Sequence, residues 1–259
     1  MNALILAAGL GTRLRPYTDT LPKALVPIAG HPMLEHQILK LKAAGFDHIV
    51  VNVHHFAEEI IDFIEKNNFF GIHIDISDER GKLLDTGGAV RQAMRFFRDS
   101  TEPVLVHNVD IFSNASLAEL YAQHCADGRA DASLVVSKRK TSRYLAFDTN
   151  GRLVGWKNIN TGAVKTPFPE LRPALETLAY SLQPEDSELS LWAFSGIHII
   201  SPTLAADLEA FGEAFSIIDF YLSVAGKGDI RAFTPSDFRL VDAGKPEALP
   251  LAAELLPTV

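Results

Sequence analysis

The sequence predicts an α/β fold, a doubly wound, mixed but mainly parallel sheet with helices on both faces. Three observations carry that expectation. Strand and helix patterns alternate four times before residue 130, with short connections between them, as a parallel sheet requires. The opening apolar run, Leu4-Ile5-Leu6, has the length of a buried strand and breaks off into a loop holding Gly9 and Gly11. The chain has 259 residues, 47% of them apolar, which suffices for a sizeable core.

The elements follow in order. Residues 33–44 place Met33, Leu34, Ile38, Leu41 and Ala44 at helical spacing, and Gly45 stops the run. His48–Val53 is a second strand, and residues 58–67 form a helix with Ile60, Ile61 and Ile64 on one face. Residues 72–76 alternate as a strand, 88–97 are helical, 104–106 form a buried strand ending at His107-Asn108-Val109-Asp110, and 117–125 are helical again. Beyond residue 130 the pattern changes to closely spaced strands at 132–136, 144–147 and 153–156, with Asn150-Gly151 as a hairpin turn. Residues 157–188 hold four prolines, Pro167, Pro169, Pro173 and Pro184, without sustained periodicity. They predict a long excursion with one group of helical turns around 175–180, of the kind that forms a lid or a subunit contact. A strand at 192–200, a helix at 217–225, a strand at 230–233 and a helix from 246 close the chain. No repeat or linker divides it, so one domain over 1–259 is expected, embellished at about 138–190.

Bulk properties exclude several classes. A formal net charge of −8 argues against a nucleic-acid surface. No run of about 18 apolar residues is present to span a membrane. Met1 leads straight into a strand pattern with neither a basic region nor a cleavage site, so no export signal is expected and the location is read as cytoplasmic. Cys125 is the lone cysteine, which rules out an internal disulfide and a cysteine-based zinc site. Nothing fixes the oligomeric state.

Within this acidic chain, residues 4–23 (L-I-L-A-A-G-L-G-T-R-L-R-P-Y-T-D-T-L-P-K) invert the charge locally. Gly9 and Gly11 expose backbone N–H groups, and Arg13, Arg15 and Lys23 add cations, so the loop suits a phosphate. It is not the dinucleotide fingerprint, because the third glycine is missing, Pro16 prevents a helix directly after the loop, and Asn52-Val53-His54 offers no acid for a ribose. The Walker pattern is absent.

What remains, Leu6-Ala7-Ala8-Gly9, Gly11-Thr12-Arg13-Leu14, Pro16, Thr18 and Pro22-Lys23, resembles the signature of the sugar-1-phosphate nucleotidylyltransferases, and compact N-acetylmuramate-1-phosphate uridylyltransferases and mannose-1-phosphate guanylyltransferases are similar in length. The resemblance extends over most of the chain and fades at about 138–191. It implies a Rossmann-like fold and a reaction between a nucleoside triphosphate and a sugar 1-phosphate, giving a nucleoside diphosphate sugar and pyrophosphate. Residues 6–9, Gly11 and Thr12 would bind the nucleotide. Arg13 would fork onto the β- and γ-phosphates, and Lys23 would meet the α-phosphate and the sugar phosphate. Asp110, after its buried strand, and Asp242, in Val241-Asp242-Ala243-Gly244, match the family's two Mg²⁺ aspartates.

Asp85-Thr86-Gly87-Gly88 resembles the segment lying against the nucleobase, its glycines free to bond base edges through the backbone. Phe194-Ser195-Gly196 resembles the strand beside the sugar, with Asn158 near it. Ser195 lacks the G-x-S-x-G context of a hydrolase nucleophile. Glu79 is near enough in sequence to contribute beside the nucleobase segment, although within Asp78-Glu79-Arg80 it reads rather as a solvated turn, and the adjacent His54 and His55 point to opposite faces of a strand.

The chain departs from the family at Val109, where a glycine is usual and a β-branched residue resists positive φ, and at Leu240 and Lys245. Compact length and the T-G-G segment rank uridylyl transfer to N-acetylmuramate 1-phosphate first and guanylyl transfer to mannose or heptose 1-phosphate second. A non-catalytic nucleotide-sugar-binding subunit is the remaining alternative, and a pure binder would not need both metal acids.

Overall fold

The computed structural model describes residues 1–128, 130–180 and 188–256. It opens with β1 (Asn2–Leu6), and three short 3-10 turns carry the loop to residue 25, consistent with Pro16 preventing a longer helix. A small ribbon, β2 (Pro27–Ile28) and β3 (His31–Pro32), leads into α1 (Met33–Ala43), whose buried face holds Met33, Leu34, Ile38 and Leu41. Then follow β4 (His48–Val53), α2 (Ala57–Lys66), β5 (His73–Asp78), α3 (Asp85–Ala93), β6 (Val104–Asn108), β7 (Ile111–Ser113) and α4 (Leu117–Asp127). Strands β6, β1, β4 and β5 lie side by side and parallel, with Leu4 in register between Val50 and Val106.

Helices cover this core on both faces, and the period of two along the strands shows it. Ala3, Ile5, Ile49 and Val51 share a hydrophobic cluster with residues of α1, α2 and α4, whereas Leu4 and Val50 share another with Val90 and Ala93 of α3.

The second half supplies β8 (Ala132–Ser137), β9 (Arg143–Asp148), β10 (Leu153–Asn158), β11 (Val164–Lys165), α5 (Arg172–Thr177) and β12 (Leu189–Ile200). It ends with α6 (Ala205–Phe211), α7 (Ile217–Val224), β13 (Ile230–Phe233), β14 (Leu240–Asp242) and α8 (Leu249–Ala253). The main sheet, ten-stranded among the described residues, runs β11-β10-β9-β12-β6-β1-β4-β5, with β8 on β12 and β13 on β8. Strand β12 belongs to both parts. Leu189–Trp192 pair with β9, Ile197–Ile200 pair antiparallel with β6, and an irregularity between Phe194 and His198 in its pairing with β8 lies where the strand changes partner. The β9–β10 turn is the predicted one, with Gly151 at φ 74° and Asp148 Oδ1 accepting from the N–H groups of Asn150 and Arg152 at 2.9 Å each.

The 157–188 excursion differs from an open lid over its described part. Residues 164–165 extend the hairpin as β11, and Pro173 sits in the first turn of α5, which therefore begins before the expected 175–180. Leu175 is fully buried against Tyr144, Val154 and Leu191, a third core. Lys157 is buried too, and its ammonium donates 2.8 Å bonds to the carbonyls of Leu175, Glu176 and Leu178, neutralising the negative end of α5. Pro184 and the rest of 181–187 lie outside the described residues. Among the described residues no helix is long and apolar enough to cross a membrane.

Candidate active site

The site lies at the carboxyl ends of the parallel strands, around a cavity of about 540 Å³. Its first wall is the loop after β1. Gly11 holds φ 65°, and a Cβ there would stand 2.8 Å from Thr18 Cγ2 and 2.9 Å from Lys23 Cβ, so both conformation and space demand glycine. Thr18 donates its hydroxyl to Gly11 O at 2.8 Å and closes the loop on itself. The result sets Arg13 and Lys23 on the cavity wall with Leu6, Ala8 and Gly9, while Thr12 is exposed. Ala7 and Ala8 are buried, and their N–H groups donate to Asn52 Oδ1 at 2.6 and 3.3 Å.

The acidic wall is assembled by a short ribbon. β7 and β14 pair antiparallel with Asp242 opposite Ile111, and Ala243 N–H donates to Asp110 O at 2.8 Å. This brings together two carboxylates far apart in the chain. A Cβ built on Gly244 would stand 2.6 Å from Arg13 Nη2, 2.7 Å from Asp242 Oδ1 and 3.1 Å from Asp110 Oδ2, so all three groups converge on that glycine. Lys23 pairs directly with Asp110, which is only 6% exposed, and Arg13 Nη1 lies 3.7 Å from Asp242 Oδ2.

Partial burial pushes the Asp242 carboxyl up, but the Gly244 N–H at 2.9 Å, the Arg13 guanidinium, Asp110 and Lys23 outweigh it and hold the pKa below the ordinary range. Val109 is buried without positive φ, so a β-branched residue sits there in ordinary backbone, and its carbonyl and that of Ile111 accept from Gln37 Nε2 at 3.4 and 2.9 Å.

The third wall corrects two expectations. Glu79 is not a solvated turn residue: it is 3% exposed, accepts from Asn52 Nδ2 at 2.8 Å and from Leu84 N–H at 3.4 Å, and lines the cavity. Burial raises its pKa against those two hydrogen bonds. The glycines of Asp85-Thr86-Gly87-Gly88 are also used differently from the expected backbone bonding to a base. Gly87 N–H donates to Phe215 O at 2.8 Å, and a Cβ on Gly88 would fall 2.2 Å from Glu213 O. They let α3 dock on the segment before α7, while Asp85, at φ 59°, and Thr86 face the cavity.

Of the sugar-side residues, Gly196 holds φ 80° and packs on Asn108 of the cavity wall, where a Cβ would stand 2.6 Å from Asn108 Nδ2. Ser195 is buried with its hydroxyl turned to Ile197 N–H at 3.3 Å. Asn158 lines a second cavity, of about 510 Å³, shared with Arg139, Trp156, Lys165 and Phe194. A separate group, His48, His73 and Asp75, can hold a divalent metal, with its ligand atoms within 4.8 Å of one another. It sits at the opposite ends of β4 and β5 from the cavity.

Three comparisons place this geometry among known proteins. A family profile described as nucleotidyl transferase matches residues 2–152. The chain is 30% identical to an N-acetylmuramate alpha-1-phosphate uridylyltransferase of Caulobacter vibrioides, over 97% of this chain and 95% of that one. It is 38% identical to a mannose-1-phosphate guanyltransferase of Gibberella zeae over 56% of this chain, spanning 40% of that protein's length. The fold matches the crystal structure of HddC from Yersinia pseudotuberculosis with a TM-score of 0.68 at 23% identity, over 98% of each chain. The chain belongs to the sugar-1-phosphate nucleotidyltransferase family, whose general reaction is nucleotidylyl transfer.

Proposed function

On the premise of that membership, we propose that the protein transfers a uridylyl group from UTP to N-acetylmuramate 1-phosphate, with Mg²⁺ held by Asp110 and Asp242. The convergence of Asp110, Asp242, Arg13 and Lys23 at one mouth of the cavity carries this reading. The similarity to the Caulobacter uridylyltransferase over nearly its whole length supports the choice of base and sugar. Residues 1–259 act in it as one domain.

The hard carboxylate oxygens of Asp110 and Asp242 suit Mg²⁺, which when bound supplies charge neutralisation between the triphosphate and the incoming phosphate. The protein's own cations do the remainder. Arg13, half-exposed at the rim, presents its fork to the β- and γ-phosphate oxygens, and Lys23 exchanges its contact with Asp110 for the α-phosphate and the sugar phosphate. A sugar-phosphate oxygen attacks the α-phosphorus in line, and the bond to the bridging oxygen breaks as pyrophosphate leaves. Two anions must meet, so alignment and charge neutralisation provide most of the rate.

Pyrophosphate release with UTP, GTP, ATP and dTTP against a panel of sugar 1-phosphates tests this reading. The highest kcat/KM is expected for UTP with N-acetylmuramate 1-phosphate. Preference for GTP with mannose or heptose 1-phosphate would replace the substrate half, and no turnover with any pair would remove the catalytic reading. Asp110→Asn should lower turnover at least about a hundredfold while Tm changes by only a few degrees. Undiminished turnover would remove Asp110 from the metal site.

A further inference from the structure

The second cavity carries charge that the transfer chemistry does not use. It adjoins the first at two places. Thr86, which lines the first cavity, accepts at 3.0 Å from Ile217 N–H, between Ser216 and Ile218 of the second. Gly196, which packs on Asn108 of the first, is two residues beyond Phe194 of the second, a separation of about 7 Å along a strand. One sugar ring spans that order of distance, which puts the second cavity within reach of the substituents of a sugar 1-phosphate in the first.

The lining is basic. Among the described lining residues, Arg139, Arg143 and Lys165 face one carboxylate, Asp219, which Lys165 already pairs at 2.6 Å. Arg139 is oriented by its Nη2 bond to Phe194 O at 3.0 Å. The planar guanidinium of Arg139 on the cavity wall matches a carboxylate in shape and charge, and Arg143 beside it adds to the positive field. Trp156 and Phe194, both partly exposed, add apolar surface for the ring.

Resting on the transferase reading above, we propose that Arg139 is a specificity-determining residue and that the second cavity selects a sugar 1-phosphate bearing a carboxylate. A neutral sugar offers no charge to Arg139 and Arg143 and is discriminated against for that reason.

The test compares N-acetylmuramate 1-phosphate with N-acetylglucosamine 1-phosphate, which lacks the lactyl carboxylate, on the wild type, Arg139→Ala and Arg139→Lys. In the wild type kcat/KM should favour the carboxylated sugar. In Arg139→Ala that preference should fall about tenfold to a hundredfold, mainly through KM, and Arg139→Lys should retain part of it. A wild type without preference, or equal loss on both sugars, overturns the proposal. If neither sugar is turned over with any triphosphate, the reaction reading fails and calorimetry with N-acetylmuramic acid alone decides the cavity. Binding abolished by Arg139→Ala then upholds it, and absence of binding in the wild type overturns it.

Discussion

Asn52 uses both ends of its amide at once. Its oxygen accepts the N–H groups of Ala7 and Ala8, and its NH₂ donates to Glu79, which in turn accepts from Leu84. One buried side chain thus fixes the phosphate loop relative to the segment opposite it. Truncation of Glu79 would leave an amide donor buried and unpaired. Glu79→Ala should therefore lower stability by about 1–3 kcal/mol in urea denaturation and raise KM for the triphosphate, whereas Glu79→Gln, which keeps an acceptor, should cost less than about 1 kcal/mol. Equal effects of Ala and Gln would show that the network does not hold the wall. Neither residue's part was legible in the sequence. Asn52 on a strand and Glu79 in a charged triplet look ordinary until the register of β4 with β5, Asn52 beside Ser77, brings them close. That Arg13, Lys23, Asp110 and Asp242 gather at one cavity was foreshadowed by the spaced motifs in which they stand.

At the level of elements, the α3–α7 contact depends on the absence of two side chains. Gly88→Ala would drive a Cβ into Glu213 O, and backbone cannot swing aside as a side chain can. A loss of about 1–3 kcal/mol is expected from thermal melts, with KM for the triphosphate raised because Asp85 and Thr86 shift with the helix. A melt within half a degree of the wild type would disprove tight docking. Long periodic elements such as α1 and α2 were readable from spacing alone, within about two residues at each end. β7 and β14 were not, since three residues carry no measurable period, and yet they bring Asp110 and Asp242 together. Helix α3 starts before the expected residue 88 because Asp85-Thr86-Gly87-Gly88 has turn chemistry that tertiary packing overrides.

For the molecule as a whole, the parallel core and its two covered faces followed from alternation in the sequence, while the branch of the sheet at β12 did not. Where β6 meets β12, His107 and His198 are fully buried, and burial pushes both pKa values from 6.5 to about 3. Between those values the unfolded chain binds more protons than the folded one. The stability these neutral imidazoles allow is whole above about pH 6.5 and is lost as pH falls toward 3. Calorimetry from pH 7 to pH 4 should show Tm falling by about 2–4 °C for each kcal/mol lost. His198→Gln, which keeps a partner for the Tyr221 hydroxyl, should have a shallower slope. An unaltered slope in that variant would acquit His198.

The ribbon of β7 with β14 has a consequence in time as well as in space. Every strand of the parallel core is made before residue 110, whereas Asp242 lies near the end of the chain. During synthesis a nascent chain therefore holds all four parallel strands and the loop after β1 while Asp242 has yet to be translated. On the proposed metal pair, a chain cut short before β14 is expected to lack turnover.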